Sequence, residues 1–181
     1  MPIRICQIAA EVTPFAKTGG LGDVAAGLSR ALGKQGHDVR VFLPFYARLA
    51  KLDFQFVAVD FLREVEIHLG PRKFTYSVFT TRLPESPVDV YFVHCPALYH
   101  HDSIYSGEWD EYLRFALLTR VALESCQRMG WAPDIVHVHD WHTALAPIYL
   151  RTIYACDRLF ATTRPAPTLH NLGYQGVFSS Q

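Results

Sequence analysis

No charge of either sign predominates in this chain, and that absence narrows the partners at once. Its 17 Lys and Arg residues are matched by 17 Asp and Glu, a formal net charge of zero. With no basic run and no arginine-rich stripe, nothing is laid out to follow a nucleic-acid backbone. Cysteine is sparse: Cys6, Cys95, Cys126 and Cys156 lie far apart without a C-x-x-C pair, so reduced core thiols are expected rather than a zinc or dithiol site. No stretch is long enough to span a bilayer, and the first residues lack the charged and apolar regions of a secretory signal. The expectation is a cytoplasmic enzyme with small-molecule or carbohydrate partners, no nucleic acid and no membrane. Two familiar phosphate loops are missing too: no G-x-G-x-x-G follows the first apolar run, and no G-x-x-x-x-G-K-[ST] occurs.

What is present is apolar surface, half of the 181 residues, enough to fill the core of one ordinary domain. Residues 3–10 read as a strand buried on both faces, closed by Glu11 and Pro14. Val24, Leu28 and Leu32 recur at helical spacing and predict the buried face of a helix ending near Gly36. A strand over 38–43, stopped by Pro44, completes a βαβ unit with a right-handed crossover. The period then changes to two: Val65, Ile67 and Leu69, a Gly70-Pro71 turn, and Phe74, Tyr76 and Val78 predict an inserted β-hairpin. Strands are expected over 88–93 and 135–138 and from 168 to 170, and helices over 109–129 and 143–154. This alternation predicts an α/β fold, a Rossmann-like, doubly wound and mostly parallel sheet with an inserted hairpin. The chain stops at Gln181, just after its last strand, so residues 1–181 read as one domain of something longer.

Three polar clusters follow strands and are therefore expected on one edge of that sheet, where ligands of open α/β folds collect. The first is Lys17-Thr18-Gly19-Gly20-Leu21-Gly22-Asp23. Glycines let a backbone approach a ligand closely, a helix N-terminus attracts anions, and Lys17 adds a full charge, so a phosphate-bearing guest suits it. A tight turn without a ligand is the alternative. The second is His137-Val138-His139-Asp140-Trp141-His142. It approaches the H-x-H-x-D-H of binuclear metallo-hydrolases, but the aspartate comes one place early and Trp141 fills its slot. A metallo-hydrolase is accordingly the weaker alternative. On a strand inside a doubly wound sheet at least one of His137 and His139 is expected to be a hydrogen-bonded core histidine. Asp140, Trp141 and His142 are expected to line the ligand edge, with Trp141 offering an aromatic face to a sugar; Asp140 as a plain helix N-cap is the other reading. The third cluster, His170-Asn171-Leu172-Gly173-Tyr174-Gln175-Gly176, carries side chains suited to hydroxyl groups. Together the three suggest a shared polyol and phosphate pocket.

These motifs make the chain resemble the amino-terminal half of bacterial glycogen synthases and plant starch synthases, over essentially its whole length. The family's K-T-G-G-L stands at Lys17–Leu21, with its glutamate at Glu11 and its aspartate at Asp23; H-D-W-H matches His139–His142, and H-N-L-A-Y-Q-G matches His170–Gly176 with Gly173 in place of alanine. The resemblance implies the amino-terminal domain of a GT-B glycosyltransferase that moves glucose from ADP-glucose to the non-reducing end of an α-1,4-glucan with retention. UDP-glucose is the alternative donor. It implies no metal and no cofactor. It places the main catalytic groups beyond Gln181: the phosphate-binding Arg and Lys, the catalytic glutamate and most of the adenine pocket belong to a carboxyl-terminal domain absent here. It implies that Lys17, Gly19 and Gly20 approach the donor, that His170 and Asn171 hold glucosyl hydroxyls, and that Asp140 and Trp141 shape the cleft. Tyr105 would stand near the donor, and Glu11 and Asp23 would orient the glycine loop. The setting would be a bacterial cytoplasm, or a plastid if the source is a plant. The reading from another functional class is a stand-alone module that binds glucan or nucleotide sugar.

Overall fold

The first strand, β1 (Arg4–Ile8), is covered on both sides, and the alternation of its side chains sorts the protein into two cores. The structure, a computed structural model, describes residues 1–101 and 103–178. Gln181, beyond which the main catalytic groups are expected, lies outside the described residues. From β1 the chain enters α1 (Gly20–Lys34) and returns as β2 (Asp38–Pro44). It then makes the short β3 (Val57–Ala58), the hairpin β4 (Val65–Leu69) and β5 (Arg72–Arg82), and β6 (Asp89–His94). A one-turn α2 (Pro96–Tyr99) and the long α3 (Glu111–Arg128) follow, then β7 (Ile135–His139), α4 (Ala146–Arg151) and β8 (Arg164–Thr168).

The sheet runs β3-β5-β6-β2-β1-β7-β8, with β4 attached to β5. Five strands, β6-β2-β1-β7-β8, are parallel, whereas β5 lies antiparallel to β6. The expected hairpin is present, turned at Gly70 with φ +57°, but β5 is eleven residues long and continues past its partner, over 77–82, to become part of the main sheet. The chain first builds outward from β1 through β2 to β6, then crosses to the other side of β1 and continues as β7 and β8. The order therefore reverses between β1 and β7, and the crevice of an open α/β sheet opens at the carboxyl ends of those two strands.

Ile5 and Ala9 pack with Val39, Val41 and Leu43 beneath α1, whereas Cys6 and Ile8 pack with Phe42, Tyr91 and the Phe115–Cys126 stretch of α3. Burial on both faces is what a central parallel strand requires. Cys6, Cys95 and Cys126 are buried thiols; Cys156 is exposed, against the expectation of four core cysteines. Among the described residues no helix is long and apolar enough to cross a membrane.

The buried face of α1 differs from the expected one. Val24 is 45% exposed, Leu32 packs against the core only partly buried, and the sheet chiefly receives Leu21, Gly22, Ala25, Ala26, Ser29 and Gly33. Small residues win because the helix sits close to the strands: a Cβ on Gly33 would lie 2.6 Å from Val88 Cγ2. Gly33→Ala is therefore expected to destabilise the protein by about 1–3 kcal/mol through overpacking, read as a lower urea midpoint with an unchanged slope. The expected helix over 143–154 is shorter, a 3-10 turn at Trp141–Thr143 followed by α4.

The last strand was expected to begin at 168 but ends there. Pro165 and Pro167 argue against a strand, yet among the described residues β8 is an edge. Arg164 N–H bonds the Asp134 carbonyl, and the Thr168 carbonyl accepts from Asp140 N–H, so 164, 166 and 168 face β7. The prolines take the outward positions, where a missing N–H breaks no ladder bond.

Candidate active site

Three loops leave the carboxyl ends of β1, β7 and β8 and meet at the crevice. At the end of β1 the chain reaches Glu11, whose residue surface is only 2% exposed. Its carboxylate gathers the glycine loop: Oε2 accepts from the N–H groups of Thr18 at 2.5 Å and Gly19 at 3.2 Å, and Oε1 accepts from Thr18 Oγ1 at 2.7 Å. Oε1 also accepts from the Tyr105 hydroxyl at 2.6 Å, which ties in the loop before α3. Burial by itself would raise the Glu11 pKa, but these hydrogen bonds outweigh it and hold the carboxyl below its usual range. Tyr105 thus spends its hydroxyl inside the protein and shows the cleft its ring. Burial and then Glu11 push its phenol pKa up.

The glycines of the loop differ in purpose. A Cβ on Gly22 would come within 3.0 Å of the Ala16 carbonyl, so that position is closed by internal packing. A Cβ on Gly19 or Gly20 would meet nothing within 4 Å, and both residues line the cleft. The first turn of α1 leaves amides there without intrahelical partners, and an anion is their natural complement. Lys17 is not part of the cleft wall. Its Nζ lies 2.6 Å from Asp23 Oδ2, and Thr13 Oγ1 donates to the other oxygen of Asp23 at 2.9 Å. The lysine contact, then the threonine, lowers the Asp23 pKa.

Just beyond β7, Asp140 has φ +54°, the left-handed region that non-glycine residues rarely enter. It makes no side-chain cap for the turn that follows, so the N-cap reading fails. Its Oδ1 accepts from the His170 backbone N–H at 2.7 Å and its own N–H bonds the Thr168 carbonyl, clamping the third loop to the second. Trp141 packs edge-on to Phe115 and against His142. Gly176, with φ +63°, lies so close to the indole that a Cβ would stand 2.5 Å from it, so the chain itself covers part of the expected sugar platform. Asn171 Oδ1 accepts from Gly173 N–H at 2.9 Å, and its amide NH₂ has no bond among the described residues.

These elements enclose a cleft of about 770 Å³ that includes Glu11, Thr18, Gly19, Gly20, Tyr105, Glu111, Asp140, Trp141, His142, His170 and Asn171. Of the site residues expected from sequence, Lys17 and Asp23 lie outside it. Thr18 and Glu111 were not anticipated: Thr18 was hidden inside a glycine motif, and Glu111 read as an ordinary acidic residue in the first turn of a helix. Val24 also lines the cleft, which accounts for its absence from the core. Among the described residues the wall carries three carboxylates, Glu11, Glu111 and Asp140, and no Lys or Arg. Burial lowers the His142 pKa to about 4 despite the opposing charges of Asp140 and Glu11, so it is a neutral ring at pH 7.

The histidines of β7 are tied by hydrogen bonds to β8 and the loop after it. His137 Nε2 lies 2.7 Å from Thr168 Oγ1, and the fully buried His139 places Nδ1 2.8 Å from His170 Nε2. Among the described residues no group of three His, Cys, Asp or Glu side chains is arranged to hold a metal ion.

Comparison with known proteins agrees with this geometry. The sequence profile of the starch synthase catalytic domain matches residues 4–181. A glycogen synthase of Treponema denticola is 36% identical over 98% of this chain and 36% of its own length; one of Photobacterium profundum is 38% identical over 98% of this chain and 35% of its own. The catalytic domain of starch synthase IV from Arabidopsis thaliana, solved with ADP and acarbose bound, superposes with a TM-score of 0.87 at 34% identity. That match covers 97% of this chain and 35% of the plant one. The chain spans about a third of the length of these relatives.

Proposed function

Because this chain belongs to the starch synthase catalytic domain family, we propose that it supplies one wall of an active site that transfers glucose from ADP-glucose to the non-reducing end of an α-1,4-glucan with retention. The observation that carries this reading is the convergence of all three loops on one cleft, the glycine loop and the start of α1 on one side and side chains suited to hydroxyl groups on the other. Transfer of a glucosyl group needs a stabilised diphosphate leaving group and an acceptor hydroxyl held in line. The open N–H groups at the start of α1 face the leaving phosphates, and Lys17 swings from Asp23 to join them. Asn171 and His170 hold the sugar hydroxyls, while Asp140 and Trp141 shape the passage to the acceptor. Tyr105 backs the donor with its ring. Glu11 and Asp23 act on the glycine loop rather than on the sugar.

The three carboxylates and the absence of Lys or Arg among the described residues of the wall imply that the remaining cations come from a second domain, as the family resemblance expects. That domain would also carry the base pocket, which makes UDP-glucose the donor to test against ADP-glucose. A bacterial cytoplasm is the proposed setting, or a plastid in a plant. The deciding experiment follows labelled glucose into glycogen with the full-length gene product and each donor in turn. Transfer from ADP-glucose is expected, and Lys17→Ala is expected to lower kcat/KM about 10²-fold, in the range for losing one charge-stabilising donor. No transfer from either donor by a folded full-length protein would replace this reading with the stand-alone binding module.

A further inference from the structure

Behind the cleft wall, His139 and His170 stack with their rings 19° apart and share the 2.8 Å contact from His139 Nδ1 to His170 Nε2. His139 is fully buried, and its second nitrogen, Nε2, has no hydrogen-bond partner among the described residues. Burial first, then the neighbouring His137 and His170, lowers its pKa to about 3, so the ring is neutral at pH 7. His137 lies 4.3 Å away, ring centre to ring centre, and its Nε2 contacts Thr168 rather than His139. One proton therefore lies between His139 and His170, and two arrangements are open. If His170 donates from Nε2, the proton of His139 must sit on its own Nε2, a buried N–H with no acceptor. If His139 donates from Nδ1, its Nε2 is only a bare lone pair. Orphaned buried N–H groups are the rarer and costlier defect.

We infer that His139 is a positioning residue: it donates Nδ1–H to His170 Nε2 and so fixes His170 as the Nδ1–H tautomer. Asp140 already holds the backbone N–H of His170, so that residue is secured at main chain and ring alike. The ring nitrogen left over is then a hydrogen-bond donor, suited to a hydroxyl oxygen of the ligand rather than to a hydroxyl proton. The consequence for a sugar rests on the proposed role of His170, but the tautomer does not.

The test labels the histidines with ¹⁵N and reads long-range proton–nitrogen correlations at pH 7, together with the scalar coupling across the N–H···N bond. The expected spectrum has Nδ1 protonated and Nε2 bare on both His139 and His170. A His170 protonated at Nε2 in the wild-type protein overturns the inference. His139→Phe is expected to release His170 to the Nε2–H form that free histidine favours and, in the intact enzyme, to lower kcat/KM for the sugar donor about tenfold, the scale of one hydrogen bond. His139→Asn can present an amide N–H near the place of Nδ1 and is expected to restore both; if it folds as well as the wild type yet leaves His170 released, the inference fails. Should the tautomers be as expected while His170→Ala leaves donor kinetics untouched, the positioning role stands and the sugar-facing role of His170 falls.

Discussion

Assayed alone, the 181-residue chain is expected to fold and to transfer no glucose. The cleft offers a leaving diphosphate the amide of Gly20 at the start of α1, the Gly19 N–H being held by Glu11, but surrounds it with Glu11, Glu111 and Asp140, and among the described residues no Lys or Arg lines it. The nearest lysine of the glycine loop is engaged by Asp23. Preorganised charge stabilisation supplies most of the rate gain in many enzymes, and each missing donor costs about 10²–10³ in rate. Without the cations proposed for the second domain, a deficit of about 10⁴-fold or more against the intact enzyme is expected, below detection in a glucan incorporation assay. Circular dichroism and a cooperative urea transition would show that the chain is folded. Elongation of a glucan by this chain, at a rate abolished by Lys17→Ala, would overturn both the prediction and the division of labour behind it.

Glu11→Ala is expected to be the most damaging single change in the site. It removes the acceptor for four hydrogen bonds and strands the N–H groups of Thr18 and Gly19, costing about 3 kcal/mol of stability. The loss reaches chemistry because the same carboxylate sets the glycine loop against the Tyr105 loop, and a drop of about 10²-fold in kcat/KM is expected from a misplaced loop. Glu11→Gln separates charge from shape, since its amide NH₂ would face donors that the carboxylate oxygen accepted. The pH dependence has a fixed sign. The folded-state pKa is depressed, so the wild-type protein gains stability from this group above the unfolded carboxylate pKa and loses it as pH falls through the lower folded value. The stability difference between wild type and Glu11→Gln should therefore be constant near neutrality and narrow under acid, as read from urea midpoints. A difference that widened under acid would rule out the ionised carboxylate as the clasp.

The motifs and the sheet edge they occupy were legible because each signal was local: a strand ends, a glycine cluster follows, and the crossover rule puts both on one side. What was not legible depends on distance in space. The spacing of Val24, Leu28 and Leu32 is helical, but which side meets the sheet was decided by how closely α1 could approach Val88, and small residues allowed it. Lys17 looked like a cleft residue because its charge was counted without Asp23, six places on. Pro165 and Pro167 hid β8, since only the neighbouring strand shows that their nitrogens face outward. His139 and His170 are 31 residues apart, and nothing in either motif announces that their rings meet.

The outward prolines of β8 also bear on how copies of this protein meet one another. Along that rim, Pro165 and Pro167 offer carbonyl oxygens but no N–H, so two such rims brought together would set acceptor against acceptor. Among the described residues β8 ends the sheet, and at these two positions it has no N–H to donate to the same rim of a duplicate.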